Sequence, residues 1–213
     1  VFVREGLDGE VEITLENTYR AFPCMQGQLL ARDMSKYNRI VLKSGVSLEK
    51  NAAVMLDDIV IENRSAQIRR VVNNVMAMLE SGNVVVPVDS SCELSHHYGL
   101  DEFYNTGVAM INCINREYCK KLLVVLPGQT NPFHYHKLKE ETFLVLHGEL
   151  QITCDGVTET IRKGETKTVE RGVNHSFSSI KGCVFEEIST THYPNDSFYA
   201  DGDLFVRPRK TEV

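Results

Sequence analysis

The stretch Gly128–Gly148, GQTNPFHYHKLKEETFLVLHG, decides the fold and the chemistry of this 213-residue chain. It contains His134 and His136 two residues apart, and in a β-strand residues at this spacing point to the same face. Lys139 and Glu141 repeat the spacing, but the step from His136 to Lys139 puts the second pair out of phase with the first. A turn or bulge between the pairs would bring all four side chains onto one interior face.

A further histidine ends the segment Gly164–His175, GETKTVERGVNH. This segment predicts a strand, a turn at Gly172 and a histidine that enters the next strand. Imidazole nitrogens and a carboxylate oxygen suit divalent Mn, Zn, Fe, Co or Ni. We therefore expect a divalent metal ion as cofactor, with these ligands: His134, His136, Glu141 and His175.

The spacing G-x5-H-x-H-x4-E-x6-G, followed by G-x7-G-x2-H, resembles the two signature motifs of the cupin superfamily. The first motif matches at every fixed position. In the second, Glu170 stands where the family usually has proline, and Ser179 where it usually has asparagine. The resemblance implies a mainly β fold, the double-stranded β-helix or jelly-roll barrel of the cupins. It does not by itself specify a reaction.

The sequence after the first motif also predicts an antiparallel barrel. Asp155-Gly156 is a dipeptide typical of tight hairpins, and Lys163-Gly164 marks another turn. Short strands joined by such turns, without intervening helices, favour a barrel or jelly roll. We place the barrel at residues 83–213, with a short apolar strand at Val84–Val88 near its start.

An amphipathic helix is predicted before the barrel, over residues 65–81. Its apolar side chains recur at steps of three and four residues, the spacing of one helix face. They are Ile68, Val71, Val72, Val75, Met76 and Leu79. Asn63 or Ser65 can cap the start of the helix, and Gly82 its end. Residues 1–82 are thus predicted to be a helical and mixed N-terminal extension, whose helix packs on the barrel or in a dimer contact.

The composition excludes several classes of partner. Hydrophobic residues make up 42% of the chain and charged residues 24%, with a net charge of −6, so neither nucleic acid nor an anionic membrane is an expected partner. The apolar runs are too short to span a bilayer. Six cysteines without a C-x-x-C pair predict reduced thiols and a cytoplasmic location. Because the sequence begins at Val1, we expect a piece of a longer polypeptide or a processed product.

A pair of acidic residues, Glu186-Glu187, lies in the predicted strand CVFEEIST. Strand alternation puts one carboxylate on the interior face and the other outside. A second carboxylate facing a metal suits proton transfer, whereas a pair on a solvated strand would only form salt bridges. His96-His97 obeys the same alternation, so at most one of them can point inward. We expect these histidines to pack near the barrel mouth rather than to bind a metal.

A narrower resemblance covers about residues 93–199. The run ELSHHYG…INREYCKKLLVVLPGQ…HYHKLKEETF…FEEISTTHY…NDSFY looks like the cupin-type D-lyxose ketol-isomerases and the cupin modules appended to sialic-acid synthase-type polypeptides. It implies a sugar or sugar precursor as ligand, a homodimer and a place in a longer synthase polypeptide. It also implies that Glu187 is the base of an aldose–ketose isomerisation and that Lys139 is its acid or electrostatic partner, helped if burial lowers the lysine pKa.

Two other functions fit the same residues. The chain could be a non-catalytic module that binds sugar or regulates a fused synthase. It could also be a cupin dioxygenase, because three histidines and a glutamate serve iron as well. Lys139 and Glu187 near the metal favour the isomerase, and an apolar pocket would favour the dioxygenase.

Overall fold

A computed structural model describes residues 1–34, 37, 39–199 and 210–213. Their contacts divide the chain into two compact units, Val1–Arg70 and Val71–Val213. The division falls within the long helix, Arg64–Gly82. The boundary predicted between residues 82 and 83 coincides with the end of this helix, and it stays a prediction.

The first unit is built from short strands around a small apolar core. Its strands form three antiparallel pairs, β1 with β3, β2 with β5 and β4 with β6. They are β1 Phe2–Val3, β2 Leu7–Asp8, β3 Thr18–Tyr19, β4 Arg39–Leu42, β5 Ser47–Leu48 and β6 Ile59–Glu62, with a one-turn helix α1 at Ala31–Met34 and a 3₁₀ turn at Leu56–Asp58. The core residues include Val3, Leu29, Leu42 and Val54.

The predicted helix is present as α2, Arg64–Gly82. The side chain of Asn63 caps it, because its Oδ1 accepts a hydrogen bond of 2.8 Å from the backbone N–H of Ala66. At the other end Gly82 lies against His147, where an added Cβ would come within 2.7 Å of that side chain. The last turn of α2 therefore packs closely on the strand that carries His147.

The second unit is a curled antiparallel sheet of eleven strands, in the order β16-β10-β14-β11-β15-β9-β8-β7-β17, with β12 and β13 also paired to β11. The strands are β7 Ser91–His96, β8 Gly107–Asn115, β9 Tyr118–Val125, β10 His134–Tyr135, β11 Glu141–Cys154, β12 Val157–Arg162, β13 Thr166–Val169, β14 His175–Ser178, β15 Cys183–Thr190, β16 Phe198–Tyr199 and β17 Lys210–Glu212. A 3₁₀ turn lies at Leu100–Glu102. The mainly β prediction is confirmed.

The strand predicted at Val84–Val88 is wrong. This segment has no strand pairing, and Val85 and Val88 are 86% and 99% exposed. Pro87 has no N–H to give to a sheet, so apolar composition alone did not make a strand here. The sheet instead takes up Ser91–His96, which pairs with β8 and β17 and buries Leu94.

The core of the second unit lies directly beneath the predicted site. Phe143, Phe177 and Phe185 pack edge to face, with ring centroids 5.1 to 6.0 Å apart. On β11 the inward positions run from Glu141 to Phe143 and Val145, all buried. The inward face of this strand thus changes from a carboxylate to aromatic and aliphatic packing, and the polar site rests on an apolar floor.

Candidate metal centre

Neighbouring strands bring the predicted site residues together. His134 on β10 pairs directly with His175 at the start of β14. His136 and Lys139 lie in the turn after β10, and Glu141 begins β11. Both pairs from the first motif are buried and line one cavity, as the out-of-phase spacing predicted.

The three imidazoles offer ligand atoms that lie within 4.8 Å of one another, from His134, His136 and His175. The carboxylate of Glu141 adds an oxygen. Its Oε2 lies 3.5 Å from Nε2 of His136 and 3.1 Å from Nε2 of His175. Three imidazole nitrogens therefore cluster in one buried place, and the Glu141 oxygen lies beside two of them, Nε2 of His136 and Nε2 of His175.

Each imidazole is oriented in the same way, because its Nδ1 lies within hydrogen-bond distance of a backbone carbonyl oxygen. The pairs are His134 with Pro132 at 2.9 Å, His136 with Asp196 at 2.6 Å and His175 with Val173 at 3.0 Å. A carbonyl only accepts, so each Nδ1 carries the proton and each Nε2 presents a lone pair. This is the tautomer, and the supporting contact, that a metal-binding histidine requires.

Several of these atoms have no hydrogen-bond partner among the described residues, namely Nε2 of His136, Nε2 of His175 and Oε2 of Glu141. In the assigned tautomer the close approach of His175 to Glu141 brings two acceptors together, which is unfavourable unless a cation lies between them. Buried acceptors facing one another are the residue arrangement that a divalent ion would satisfy.

The charge states also fit a metal. Burial lowers the pKa of His134 well below its usual value and lowers that of His136, so both rings stay neutral. Burial by itself would raise the pKa of Glu141, but the Lys139 ammonium opposes burial and holds that pKa well below its usual range. His134 and His136 are therefore neutral and Glu141 is ionised, which are the forms that bind metal.

Lys139 bridges two buried carboxylates. Its Nζ lies 2.5 Å from Oε1 of Glu141 and 3.0 Å from Oε1 of Glu187, which also accepts a hydrogen bond of 3.2 Å from Ser189. Burial by itself would lower the pKa of Lys139, but the charges of Glu187 and Glu141 outweigh it and the pKa is raised. The expectation that burial lowers this pKa is therefore wrong, and Lys139 is an ammonium.

Of the two adjacent glutamates, Glu187 points into the cavity and is buried, whereas Glu186 forms an ion pair with Lys120. Sequence reasoning missed Lys121, which lies directly across from Glu187 on β9 and is also buried at the cavity. Burial lowers the pKa of Lys121. The doublet Lys120-Lys121 was the available signal, because it alternates between the faces as the two glutamates do.

His97 lines the cavity and His96 does not, in agreement with the alternation rule. Nε2 of His97 lies 3.1 Å from the hydroxyl of Tyr199, whose ring stacks on His134 with the centroids 5.4 Å apart. His97 is therefore connected to the candidate metal centre through Tyr199. Asp196, which sequence reasoning also missed, is buried behind the turn that carries His136.

The cavity at the site has a volume of about 70 Å³. Its apolar floor comes from the phenylalanine core, and most of its remaining lining is polar. The polar residues around it are Ser95, His97, Lys121, Asn131, His134, His136, Lys139, Glu141, Glu187, His192, Ser197, Tyr199 and Lys210.

Within the described part of the chain, no helix has the length and apolar character needed to cross a membrane.

Comparison with known proteins places the fold. Residues 121–184 match the family model of the cupin domain. The chain is 25% identical over 176 residues to a D-lyxose/D-mannose isomerase of Thermosediminibacter oceani, covering 68% of this chain and 94% of the relative.

Two solved structures are similar at 15% identity and a TM-score of 0.54. The L-ribose isomerase of Acinetobacter sp. DL28 in complex with L-ribose covers 66% of this chain and 93% of its own. The ligand-free L-ribose isomerase of Cellulomonas parahominis covers 67% and 94%. At this identity the likeness concerns the fold alone. Together with the motif match and the curled antiparallel sheet, it confirms the fold expected from the histidine stretch: this chain contains a cupin domain.

Proposed function

We propose that this chain is a metal-dependent sugar isomerase that interconverts an aldose and a ketose by proton transfer through a cis-enediol. The observation that carries the proposal is the buried carboxylate of Glu187, joined through Lys139 to Glu141 beside the three histidines. The similarity to a protein named D-lyxose/D-mannose isomerase supports the same class of substrate.

In this proposal His134, His136, Glu141 and His175 hold a divalent ion, which is Mn, Zn, Fe, Co or Ni on the chemistry of the ligands. When bound, the ion supplies Lewis-acid polarisation of the sugar carbonyl and hydroxyl oxygens. The support for this set is its orphaned acceptors and the shared orientation of the imidazoles.

Glu187 is the proposed proton carrier. One of its carboxylate oxygens takes the proton from C2 of an open-chain aldose, which leaves a cis-enediolate. The same oxygen returns that proton to C1 while the proton of the C2 hydroxyl passes to O1, and the ketose results. Ser189 and Lys139 both hold Oε1 of this carboxylate, so its position is fixed before substrate binds. Positioned general bases of this kind commonly contribute about 10²–10⁴-fold to a rate.

Lys139 is proposed to act through its charge. Because its pKa is raised, it stays protonated while the enediol forms, and its ammonium stabilises negative charge on the sugar oxygens. Its charge also lowers the pKa of the buried Glu141 and so keeps that carboxylate ionised.

The cavity bears on the two alternatives. Its mostly polar lining disfavours the dioxygenase, for which an apolar pocket was expected. Its volume of about 70 Å³ is well below the roughly 300–1,000 Å³ of typical small-molecule pockets, so a sugar needs side-chain rearrangement to enter. The second candidate, a non-catalytic sugar-binding or regulatory module, needs the same rearrangement, so the volume does not separate it from the isomerase. The homodimer, the cytoplasmic location, the link to sialic-acid synthesis and the fused synthase remain predictions from the sequence.

Proton exchange in D₂O tests the proposal. Protein loaded with each candidate metal is incubated with a panel of aldoses, ketoses and N-acylated amino sugars, and deuterium at C1 or C2 is followed by NMR. We expect exchange in one sugar, at least about 10²-fold slower in Glu187→Gln, which keeps the shape of the residue without its basicity. Glu186→Gln is the matched control, because the neighbouring carboxylate lies outside the cavity, and it should exchange at the wild-type rate.

A wild-type protein that binds metal but exchanges no sugar would overturn the isomerase and leave the binding module. Equal exchange in Glu187→Gln and Glu186→Gln would remove Glu187 from the mechanism. His134→Ala should abolish both metal binding and exchange. Exchange that persists in that variant would contradict the proposed ligand set.

A further inference from the structure

The turn between His136 and Glu141 lacks the backbone hydrogen bonds of a β-sheet. The two inward pairs are out of strand phase, so the chain must leave the sheet between them, and strand pairing is absent at residues 137–140. A turn without ladder bonds leaves its N–H groups in need of other acceptors. Because the turn connects two proposed ligands and carries Lys139, whatever satisfies these amides also sets the geometry of the site.

The carboxylate of Asp196 accepts the amides of three successive residues in this turn. Its Oδ1 lies 3.0 Å from the backbone N of Lys137 and 3.2 Å from that of Leu138. Its Oδ2 lies 3.0 Å from the N of Leu138 and 2.9 Å from the N of Lys139. Successive amides that converge on one anion form a concave nest, in which hydrogen bonds to a charged acceptor are stronger than neutral ones.

The backbone of the same residue orients a proposed ligand. The carbonyl oxygen of Asp196 accepts the hydrogen bond from Nδ1 of His136, at 2.6 Å. Asp196 is only 4% exposed, and its own N–H donates to the carbonyl of Tyr193 at 3.1 Å. One buried residue therefore contacts both the imidazole of His136 and the turn that follows it.

The remaining contacts of the turn use other groups. Thr190 Oγ1 accepts the N–H of Glu140 at 3.2 Å, the carbonyl of His136 accepts the N–H of Gly172 at 2.7 Å, and that of Leu138 accepts Nε of Arg171 at 2.8 Å. These bonds hold the carbonyls and the last amide. Within the described residues, the carboxylate of Asp196 accepts all three amides at residues 137–139.

We infer that Asp196 is a positioning residue of the metal centre. Its carboxylate replaces the missing strand pairing, which places the Lys139 ammonium between Glu141 and Glu187, and its carbonyl fixes the tautomer of His136. The effect of Asp196 on metal binding rests on the proposed function, because it assumes that His136 and Glu141 are metal ligands. An asparagine in this place has one accepting oxygen, and its NH₂ group would face a backbone N–H.

The test compares Asp196→Asn with wild type and with Asp89→Asn, a matched substitution at an exposed position. Amide hydrogen exchange by NMR reports on residues 137–139, and optical titration with Co²⁺ reports metal affinity without any activity assay. We expect slow exchange at these amides in wild type, faster exchange in Asp196→Asn, and Co²⁺ affinity lower by on the order of 10–100-fold. Asp89→Asn should match wild type in both measurements.

Three outcomes would overturn the role of Asp196. The first is unprotected amides at residues 137–139 in wild type, which can be observed even if the variant fails to fold. The second is an Asp196→Asn protein that matches wild type in both measurements. The third is equally faster exchange throughout β11 and β15, which would make Asp196 a general stability residue. If wild type binds no Co²⁺, the proposed function fails instead, and the exchange measurement alone decides whether Asp196 holds the turn.

Discussion

The two faces of the β9–β15 strand pair carry the same residue types in different surroundings. On the outer face Lys120 and Glu186 form an ion pair, with side chains 42% and 13% exposed. On the inner face Glu187 is buried and contacts Lys139 at 3.0 Å, and Lys121 lies across from it. Adjacent residues on each strand thus belong to different environments. Lys120 and Glu186 form a surface salt bridge, whereas Lys121 and Glu187 belong to a buried group of charges.

Exposure to solvent determines how much each ion pair contributes to the free energy of unfolding. An exposed ion pair gains little beyond what water already gives its charges, about 0–1 kcal/mol. A buried charge has lost its hydration, so removing its partner leaves it uncompensated. Removing one charge from the inner network should therefore cost much stability. Because Lys139, Glu141 and Glu187 are buried, their side chains stay in place for proton transfer.

The largest expected effect comes from removing the central ammonium. Lys139→Met leaves the carboxylates of Glu141 and Glu187 buried without their shared partner, so we expect a loss of about 3–5 kcal/mol in the free energy of unfolding. The matched change on the outer face, Lys120→Met, should cost no more than about 1 kcal/mol. Urea unfolding of the metal-free proteins at neutral pH measures both values, and equal losses would contradict the comparison.

A smaller effect should appear when both inner partners are removed. Glu187→Gln added to Lys139→Met removes one of the two stranded charges, so the double variant should be less destabilised than the sum of the single variants. For groups in contact, the coupling free energy is about 0.5–3 kcal/mol. The same urea measurements on the four proteins give this coupling. A value near zero would mean that Lys139 is held by Glu141 alone.

The sequence predicted the inner face by its periodicity and by the family motif. His134, His136 and Glu141 were recognisable because their spacing is local, and the out-of-phase step correctly required a turn between the pairs. Alternation could say only that one of the adjacent glutamates lies inside. Which of them does depends on the register of β15 against β9, a pairing between segments far apart in the chain.

Asp196 shows the limit of such reasoning. It acts on residues 57 to 60 positions away, through backbone amides that carry no side-chain signature. Lys121 was likewise missed because lysine in a strand ordinarily predicts a solvated face. The error at Val84–Val88 has the opposite cause, since local apolar composition was taken for strand pairing that needs a partner elsewhere in the fold.

The pH dependence of stability offers a further difference between the faces. Burial, followed by the charge of Lys121, lowers the pKa of His192 at the cavity to about 3, from an ordinary value of 6.5. Between pH 6.5 and pH 3 the unfolded chain therefore binds a proton at His192, whereas the folded chain does not. Its contribution to stability is complete above pH 6.5 and is lost as the pH falls from there towards 3.

His192→Gln should accordingly weaken the decline of stability between pH 6.5 and pH 4.5. The difference between wild type and variant, measured as the urea midpoint at each pH, removes the contribution of the carboxylates that both proteins share. Parallel curves over this range would show that His192 titrates normally in the folded protein. Because His192 is partly exposed, solvent screening should keep the effect below that of Lys139→Met.

The smallest expected effect is on the outer face, in the salt dependence of the Lys120–Glu186 ion pair. A double-mutant cycle of Lys120→Met and Glu186→Gln should give a coupling of about 0.2–1 kcal/mol at low ionic strength. Because both charges of this pair reach solvent, the coupling should shrink as salt shortens the Debye length to about 3 Å at 1 M. The inner coupling between Lys139 and Glu187 should stay nearly constant over the same range, since counterions cannot enter between buried groups. If both couplings fell together with salt, water would have to reach Glu187 freely, and burial would no longer account for the difference between the two faces.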